Sequence, residues 1–188
     1  AEQLLEHAKK TSEALYVFGA LDQIAWPQSH LGLHRQALEN RTRAAEMRRA
    51  IGGGIIGDWF EAGEAEILLN AGRPEDALLQ AQKVAASSEK ADLPFSQAVA
   101  ERAWACALAR LGRRMSEVEL HFKTALAICQ STEQIKNSSQ TELWWGRICR
   151  ERGDETAAQR HFAEARRKIE FGGYEYALAE IRRFATEQ

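Results

Sequence analysis

Residues 59–85, WFEAGEAEILLNAGRPEDALLQAQKVA, predict two helices joined by a turn at Gly72, and their pattern recurs along most of the chain. Small residues stand seven positions before this glycine and five, nine and twelve positions after it: Ala65, Ala77, Ala81 and Val84. Two further glycines lie forty residues before and forty residues after Gly72, at Gly32 and Gly112. A fourth, Gly153, lies forty-one residues after Gly112. Seven positions before these three stand Ala25, Ala105 and Gly146. The chain therefore contains an internal repeat, which indicates a repeat architecture.

This repeat resembles the tetratricopeptide family, whose helix-turn-helix unit has small residues where the paired helices cross and an aromatic residue in the second helix. The fourth unit matches that pattern best, at Gly146, Gly153, Ala158, Phe162 and Ala165. The family's usual repeat is about 34 residues long. The repeat of this chain is about 40 residues long, like the longer helical repeats of bacterial signalling ATPases, nucleotide cyclases and large transcription activators. The resemblance covers roughly residues 15–174 and concerns architecture, because small residues at a crossing only let two helices approach.

The resemblance implies an all-α fold: a right-handed superhelical array of antiparallel helix pairs, with about four units plus terminal helices. We expect the units at residues 15–53, 54–93, 94–134 and 135–173, and a closing helix at residues 174–188. No β-strand is predicted. Capping boxes are predicted at Ser116 with Glu119 and at Ser139 with Glu142, and Asp154 is expected to cap the helix that Gly172-Gly173 ends.

The start of the chain suggests a piece of a longer protein. It begins at Ala1, without a methionine, on what reads as the middle of a helix. Residues 2–10 would be the second helix of an earlier unit, and the hydroxyls of Thr11 and Ser12 could cap the helix that follows.

Composition indicates a soluble domain without a general affinity for nucleic acid or for anionic membranes. Of the 188 residues 45% are hydrophobic and 28% are charged, with a net charge of −2. No stretch approaches the roughly 18 consecutive apolar residues of a membrane span. An arginine run in the first unit is interpreted as a solvated helix face: Arg41, Arg43, Arg48 and Arg49.

Motifs for catalysis, metals and cofactors are absent from the sequence or lack their context. Gly52, Gly54 and Gly57 match the GxGxxG dinucleotide fingerprint, but a helix rather than a strand is predicted before them, so we interpret them as part of a linker. His30 and His34 straddle a turn and do not form an HExxH pair. The three cysteines lack CxxC spacing, which favours a reducing cytoplasm. We therefore predict no enzyme activity, no cofactor and no metal.

By the resemblance, one face of each unit's first helix lines a groove, at positions thirteen, ten, six, three and two before the turn glycine. The predicted partner-binding residues on these faces are Asp22, Trp26, His30, Trp59, Glu66, Asn70, Arg102, Arg110, Arg147 and Arg150. Such a groove would be aromatic and mildly acidic at one end and basic at the other. The alternative interpretation is that the tryptophans fill space between units and the arginines are only solvated.

The function predicted from these features is a non-catalytic scaffold that binds a protein or peptide partner in the groove. Aromatic residues and arginines dominate many interfaces, so an acidic partner would suit the basic end. The alternative is a regulatory or sensor region of a larger bacterial signalling ATPase, nucleotide cyclase or transcription activator, whose partner is another domain of the same polypeptide. No nucleic acid and no membrane are expected as partners.

Overall fold

Eight α-helices make up the part of the chain that the computed structural model describes, residues 14–50 and 57–173. No β-strand occurs within these two ranges. The helices are α1 (Ala14–His30), α2 (His34–Ala50), α3 (Gly57–Asn70), α4 (Pro74–Lys90), α5 (Pro94–Arg110), α6 (Met115–Ser131), α7 (Ile135–Glu151) and α8 (Glu155–Gly172). For these residues the predicted all-α fold is confirmed.

The helices pack in pairs and in two layers. Each odd-numbered helix packs against the even-numbered helix that follows it, which gives four pairs. The odd-numbered helices also contact one another in the order α1, α3, α5 and α7. They form one layer and the even-numbered helices form the other, with the largest buried cluster running from α3 to α8. Corresponding faces of the four odd-numbered helices therefore lie side by side.

Glycine ends the first helix of each pair. The angle φ lies between +72° and +84° at Gly32, Gly72, Gly112 and Gly153, a left-handed conformation that glycine adopts without steric cost. The next residue closes the turn, as where the Arg73 N–H donates to the Leu68 carbonyl at 3.0 Å. Two turns between pairs use non-glycine residues in the same conformation, which was not predicted: Asp92 and Glu133.

Gly146 allows α7 and α8 to approach closely. A Cβ atom at this position would lie 2.6 Å from Cε1 of Phe162 and 3.1 Å from the Ala158 carbonyl oxygen. The buried Phe162 ring therefore occupies the space that a side chain at position 146 would need. In the three earlier pairs the corresponding residue is a fully buried alanine: Ala25, Ala65 and Ala105.

Ring stacking joins the third helix pair to the fourth. Trp145 of α7 stacks on Phe122 of α6 and on His161 of α8, with ring centroids 5.1 Å and 4.2 Å apart. Within the third pair, Trp104 of α5 stacks on His121 of α6 at 4.0 Å. Aromatic pairs of this kind contribute about 0.5–1.5 kcal/mol beyond the burial of their surface. These contacts stabilise the packing of each helix on its neighbour.

Both predicted capping boxes are wrong, whereas the predicted Asp154 cap is correct. Ser116 lies inside α6, whose N-terminus has no side-chain cap. Ser139 lies inside α7, where its hydroxyl donates to the Ala165 carbonyl of α8 at 2.8 Å. The Ser139 hydroxyl thus bonds to a neighbouring helix instead of capping its own. The Asp154 carboxylate accepts a 2.9 Å hydrogen bond from the Ala157 N–H, and α8 ends at Gly172-Gly173 as predicted.

The predicted solvated arginine face of α2 is wrong for two of its four members. Arg41 and Arg48 are buried, because the neighbouring helices supply carboxylates that compensate their charge, including Glu61 at 3.0 Å from Arg48. Buried guanidinium groups require such partners. The other two members are exposed as predicted: Arg43 and Arg49.

Several predicted features lie outside the described residues. They are the helix at residues 2–10, the Thr11-Ser12 cap, the glycines at residues 52–54 and the closing helix at residues 174–188.

We expect Gly146→Ala to destabilise the protein by about 1–3 kcal/mol, although alanine ordinarily favours a helix, because the added methyl group overpacks against Phe162. Urea unfolding followed by circular dichroism measures the change. The double variant Gly146→Ala/Phe162→Leu should lose less stability than the sum of the losses in the two single variants.

The matched control is Gly19→Ala on α1, where an added Cβ atom would meet nothing within 4 Å. That variant should gain about 0.5–1 kcal/mol. A loss at Gly19 equal to that at Gly146 would contradict the close contact between α7 and α8.

Candidate partner-binding surface

The ten residues predicted to line a groove all lie on the odd-numbered helices, and nine of them line two adjoining pockets. The aromatic pocket includes five of them: Asp22, Trp26, Trp59, Glu66 and Arg102. The basic pocket includes four: His30, Asn70, Arg110 and Arg147. The tenth residue lies outside both pockets and forms an ion pair of 2.8 Å with Glu155: Arg150.

The aromatic pocket is a cavity of about 280 Å³ among α1, α3, α5 and α7. Its apolar walls are Trp26, Trp59, Phe60, Ile67, Phe95 and Val99. The rings of Trp59 and Phe95 meet edge to face with centroids 6.0 Å apart. These two residues are nevertheless 42% and 44% exposed. The pocket therefore has two large rings at its opening.

A chain of hydrogen bonds beside this pocket joins all four odd-numbered helices. Trp26 Nε1 of α1 donates to Glu66 Oε2 of α3 at 2.8 Å. From α5, Arg102 donates to Glu66 Oε1 through Nε at 2.9 Å and through Nη2 at 2.5 Å. Arg102 Nη1 also donates to Thr141 Oγ1 of α7 at 3.4 Å. The two charged residues, Glu66 and Arg102, are 3% and 2% exposed, so the ion pair lies inside the fold.

The Glu66 carboxyl group remains ionised at neutral pH despite its burial. Burial alone would raise the pKa of Glu66, but the Arg102 charge and the hydrogen bonds from Trp26 and Arg102 hold this pKa below its ordinary value of 4.5. A carboxyl group whose pKa is lowered by folding stabilises the folded state at neutral pH. That contribution disappears as the pH falls through the lowered pKa.

A second buried ion pair involves Asp22 of α1. Arg41 of α2 donates to Asp22 Oδ1 at 2.7 Å and to Glu64 Oε2 of α3 at 2.9 Å. The other carboxylate oxygen of Asp22 is buried and accepts no hydrogen bond from the described part of the chain. Burial raises the pKa of Asp22, and Arg41, which is shared with Glu64, offsets only part of this rise. Asp22 is thus less well satisfied than Glu66.

The basic pocket adjoins the aromatic pocket along α1. Trp26 and His30 line one pocket each, and their ring centroids are 4.2 Å apart. The basic pocket measures about 540 Å³, and none of the described residues that line it is acidic. The guanidinium carbons of Arg110 and Arg147 lie 5.9 Å and 4.4 Å from the Trp144 ring centroid. Two guanidinium groups in one pocket favour an anionic ligand.

Two of the predicted residues also tie successive helices together. Arg110 Nη1 donates to the Leu69 carbonyl near the end of α3, at 2.5 Å. Asn70 Nδ2 donates to Ser29 Oγ near the end of α1, at 3.2 Å. The first contact places a cation at the C-terminal end of α3, where it interacts favourably with the helix dipole. Arg110 and Asn70 are therefore part of the helix packing as well as of the pocket lining.

The side formed by the odd-numbered helices is more closed than the open groove that the sequence suggested. The rings of His30 on α1 and Trp144 on α7 have centroids 6.4 Å apart, so the first and last of these helices approach each other. Asp22, Glu66 and Arg102 are at most 5% exposed. Their charges compensate one another or that of Arg41 and do not face an open surface. The accessible parts of this side are the two pockets.

Sequence reasoning missed several residues of this surface, among them Trp144, Phe95 and Arg41. Trp144 stands nine positions before Gly153 and Phe95 lies in the first turn of α5, neither at a position assigned to the groove face. Arg41 stands nine positions after Gly32, where two later units have a small or aromatic core residue. A charge at a core position was the signal that could have identified it.

The three cysteines of the described ranges are buried free thiols. Burial raises the pKa of Cys106 to about 12 and those of Cys129 and Cys149 to about 11, so these thiols are protonated and poorly nucleophilic. No group of three or more His, Cys, Asp or Glu residues within residues 14–50 and 57–173 could hold a metal ion. None of the eight described helices is long and apolar enough to cross a membrane.

No protein-family model matches the chain, and no curated protein is similar enough to support an assignment. What this surface does must therefore be argued from its geometry.

We expect Glu66→Gln to lower the free energy of unfolding by about 3–5 kcal/mol at pH 7, because it leaves the buried Arg102 without its counter-charge. The difference from the wild type should shrink as the pH falls below 4.5 and through the lowered pKa of Glu66, since protonation then removes the same charge. Urea unfolding over a series of pH values measures both effects.

Glu89→Gln, at an exposed carboxylate of α4, is the matched control and should change stability by less than about 0.5 kcal/mol. A loss for Glu66→Gln that does not vary with pH would mean that the charge of Glu66 is not the stabilising factor.

Proposed function

We propose that the chain is a tetratricopeptide-like solenoid, a right-handed superhelical array of four helix pairs, and that it acts as a non-catalytic scaffold in the cytoplasm. Its partner is a protein or peptide, or another domain of the same polypeptide, bound on the side of the odd-numbered helices. The two-layer packing and the recurring glycine turns support this architecture. Stacked repeats present corresponding faces as one binding surface.

The observation that carries this proposal is the pair of adjoining pockets on the odd-numbered side. One pocket has exposed aromatic rings at its opening, and the other has two arginines whose guanidinium carbons lie 5.9 Å and 4.4 Å from the Trp144 ring centroid. Tryptophan, tyrosine and arginine are the residues that most often dominate binding energy at protein interfaces. Both pockets lie on helices that the buried ion pairs hold in place, so little ordering is required on binding.

The part of a partner that enters the basic pocket is expected to be acidic. Guanidinium groups bind carboxylates in a planar, often bidentate geometry, and cation–π contacts with Trp144 hold Arg110 and Arg147 beside the basic pocket. Charge pairs at a partly exposed interface weaken as salt screens them. Binding of an acidic partner should therefore depend strongly on salt.

The test begins with selection of peptides from a displayed random library against the immobilised chain. Recovered peptides should be enriched in Asp and Glu, and calorimetry at low and high salt should show weaker binding at high salt. Arg147→Glu should weaken binding by at least about tenfold, the scale of an arginine hot spot.

Arg160→Glu is the matched control, because Arg160 is exposed on the even-numbered helix α8. It should leave binding nearly unchanged, and circular dichroism should show that both variants keep the wild-type helix content. Equal losses for the two variants, or binding that is indifferent to salt, would exclude the basic pocket as the site. Recovery of no binding peptide would contradict the scaffold function.

A further inference from the structure

We propose that the aromatic pocket is a specific site for a single aromatic ring that carries one neutral hydrogen-bond donor, such as a phenol or an indole. This inference deepens the proposed function and rests on it in one respect: in a bound peptide the ring is that of a tyrosine or tryptophan. A free phenol or indole has the same chemistry, and the experiment below separates the two sources.

The walls of the pocket favour an aromatic ring. Its volume of about 280 Å³ is sufficient for one such ring and lies near the lower limit of about 300 Å³ for small-molecule sites. Four of its wall residues are aromatic: Trp26, Trp59, Phe60 and Phe95. Aromatic rings favour offset and edge-to-face contacts with one another. A ring placed in the pocket would also cover the exposed faces of Trp59 and Phe95 and remove them from water.

The donor requirement comes from Asp22. Its side chain is only 2% exposed, and its Oδ2 atom has no hydrogen-bond partner in the described part of the chain. The other carboxylate in the pocket, Glu66, accepts hydrogen bonds at both oxygens. A buried acceptor without a donor is costly, and a ligand that supplies the donor recovers that cost. Asp22 is therefore the group that a ligand hydroxyl or indole N–H would bind.

The charges around the pocket do not favour an ionic ligand. Asp22 and Glu66 already form ion pairs with Arg41 and Arg102, so these four groups offer no unpaired counter-charge. Moving either kind of ion into such a site would require desolvation without a matching counter-charge. A neutral donor can form a hydrogen bond to Asp22 Oδ2 without adding charge to the pocket.

The experiment uses p-cresol as the probe and follows the indole N–H resonances of the five tryptophans by nitrogen-15 NMR, assigned with single Trp→Phe variants. We expect p-cresol to shift the Trp26 and Trp59 resonances in a saturable manner, with a Kd on the order of 1 mM for so small a ligand. 4-Methylanisole has the same ring but no donor, and it should bind at least about tenfold more weakly.

Two exposed rings provide a matched pair of variants. Phe95→Ala should weaken p-cresol binding by about twofold to tenfold, the range of one aromatic contact. Phe171→Ala, at a ring that is 82% exposed on α8, should leave it unchanged. Because both rings are exposed, neither change should unfold the protein.

Three results would overturn the proposal. Equal affinity for p-cresol and 4-methylanisole would remove the role of the donor. Tighter binding of 4-methylbenzylamine than of p-cresol would show a cation site. Absence of any shift at Trp26 and Trp59 would show that the pocket does not bind the ring.

Failure of this inference and failure of the proposed function give different results. If p-cresol competes with the selected peptides, the ring in the pocket belongs to the partner. If p-cresol binds as expected and no peptide is recovered, the pocket is supported as a site for a free ligand and the scaffold function fails. If peptides bind through the basic pocket and p-cresol shifts no resonance, the scaffold function stands and this inference fails.

Discussion

The arrangement of the four helix pairs depends on the buried ion pair between Glu66 and Arg102. Trp26 lies at one end of the hydrogen-bonded chain through this pair and Thr141 at the other, so the chain passes through every odd-numbered helix. A buried ion pair compensates its desolvation only when its remaining hydrogen bonds are also made. Both oxygens of Glu66 meet this condition. The pair therefore fixes the relative position of the helices more than it adds to net stability.

The four helix pairs differ in the residues that fill their interior. Nine residues after its turn glycine the first unit has Arg41, the second has Ala81 and the fourth has Phe162. In the fourth pair the phenylalanine packs against Gly146 and fills the crossing with apolar atoms. In the first pair the arginine extends to Asp22 and satisfies one of its carboxylate oxygens. In the first pair a polar contact between α1 and α2 thus takes the place that apolar packing has in the fourth pair.

The sequence predicted several features that backbone geometry requires, but not the left-handed turns at Asp92 and Glu133. Left-handed glycines at the turns, small residues at helix crossings and the Asp154 cap depend on local sterics and hydrogen bonding, which spacing reveals. Burial of Arg41 could not be predicted in the same way, because it depends on carboxylates that α1 and α3 bring within reach. The closure between His30 and Trp144 depends on how small rotations accumulate over several pairs, which no single unit encodes. The helix-face positions therefore identified nine residues that line the pockets. They did not predict how exposed those residues are.

Closure of this side limits how a partner can approach it. The ring contact between His30 on α1 and Trp144 on α7 narrows this side, so a partner would contact it mainly at the two pockets. Trp26 and His30, four residues apart on α1, line one pocket each, and four helical residues rise about 6 Å. Two residues of extended peptide span about 7 Å. An aromatic residue and an acidic residue two positions apart could therefore occupy both pockets together, and the first contact would raise the effective concentration of the second.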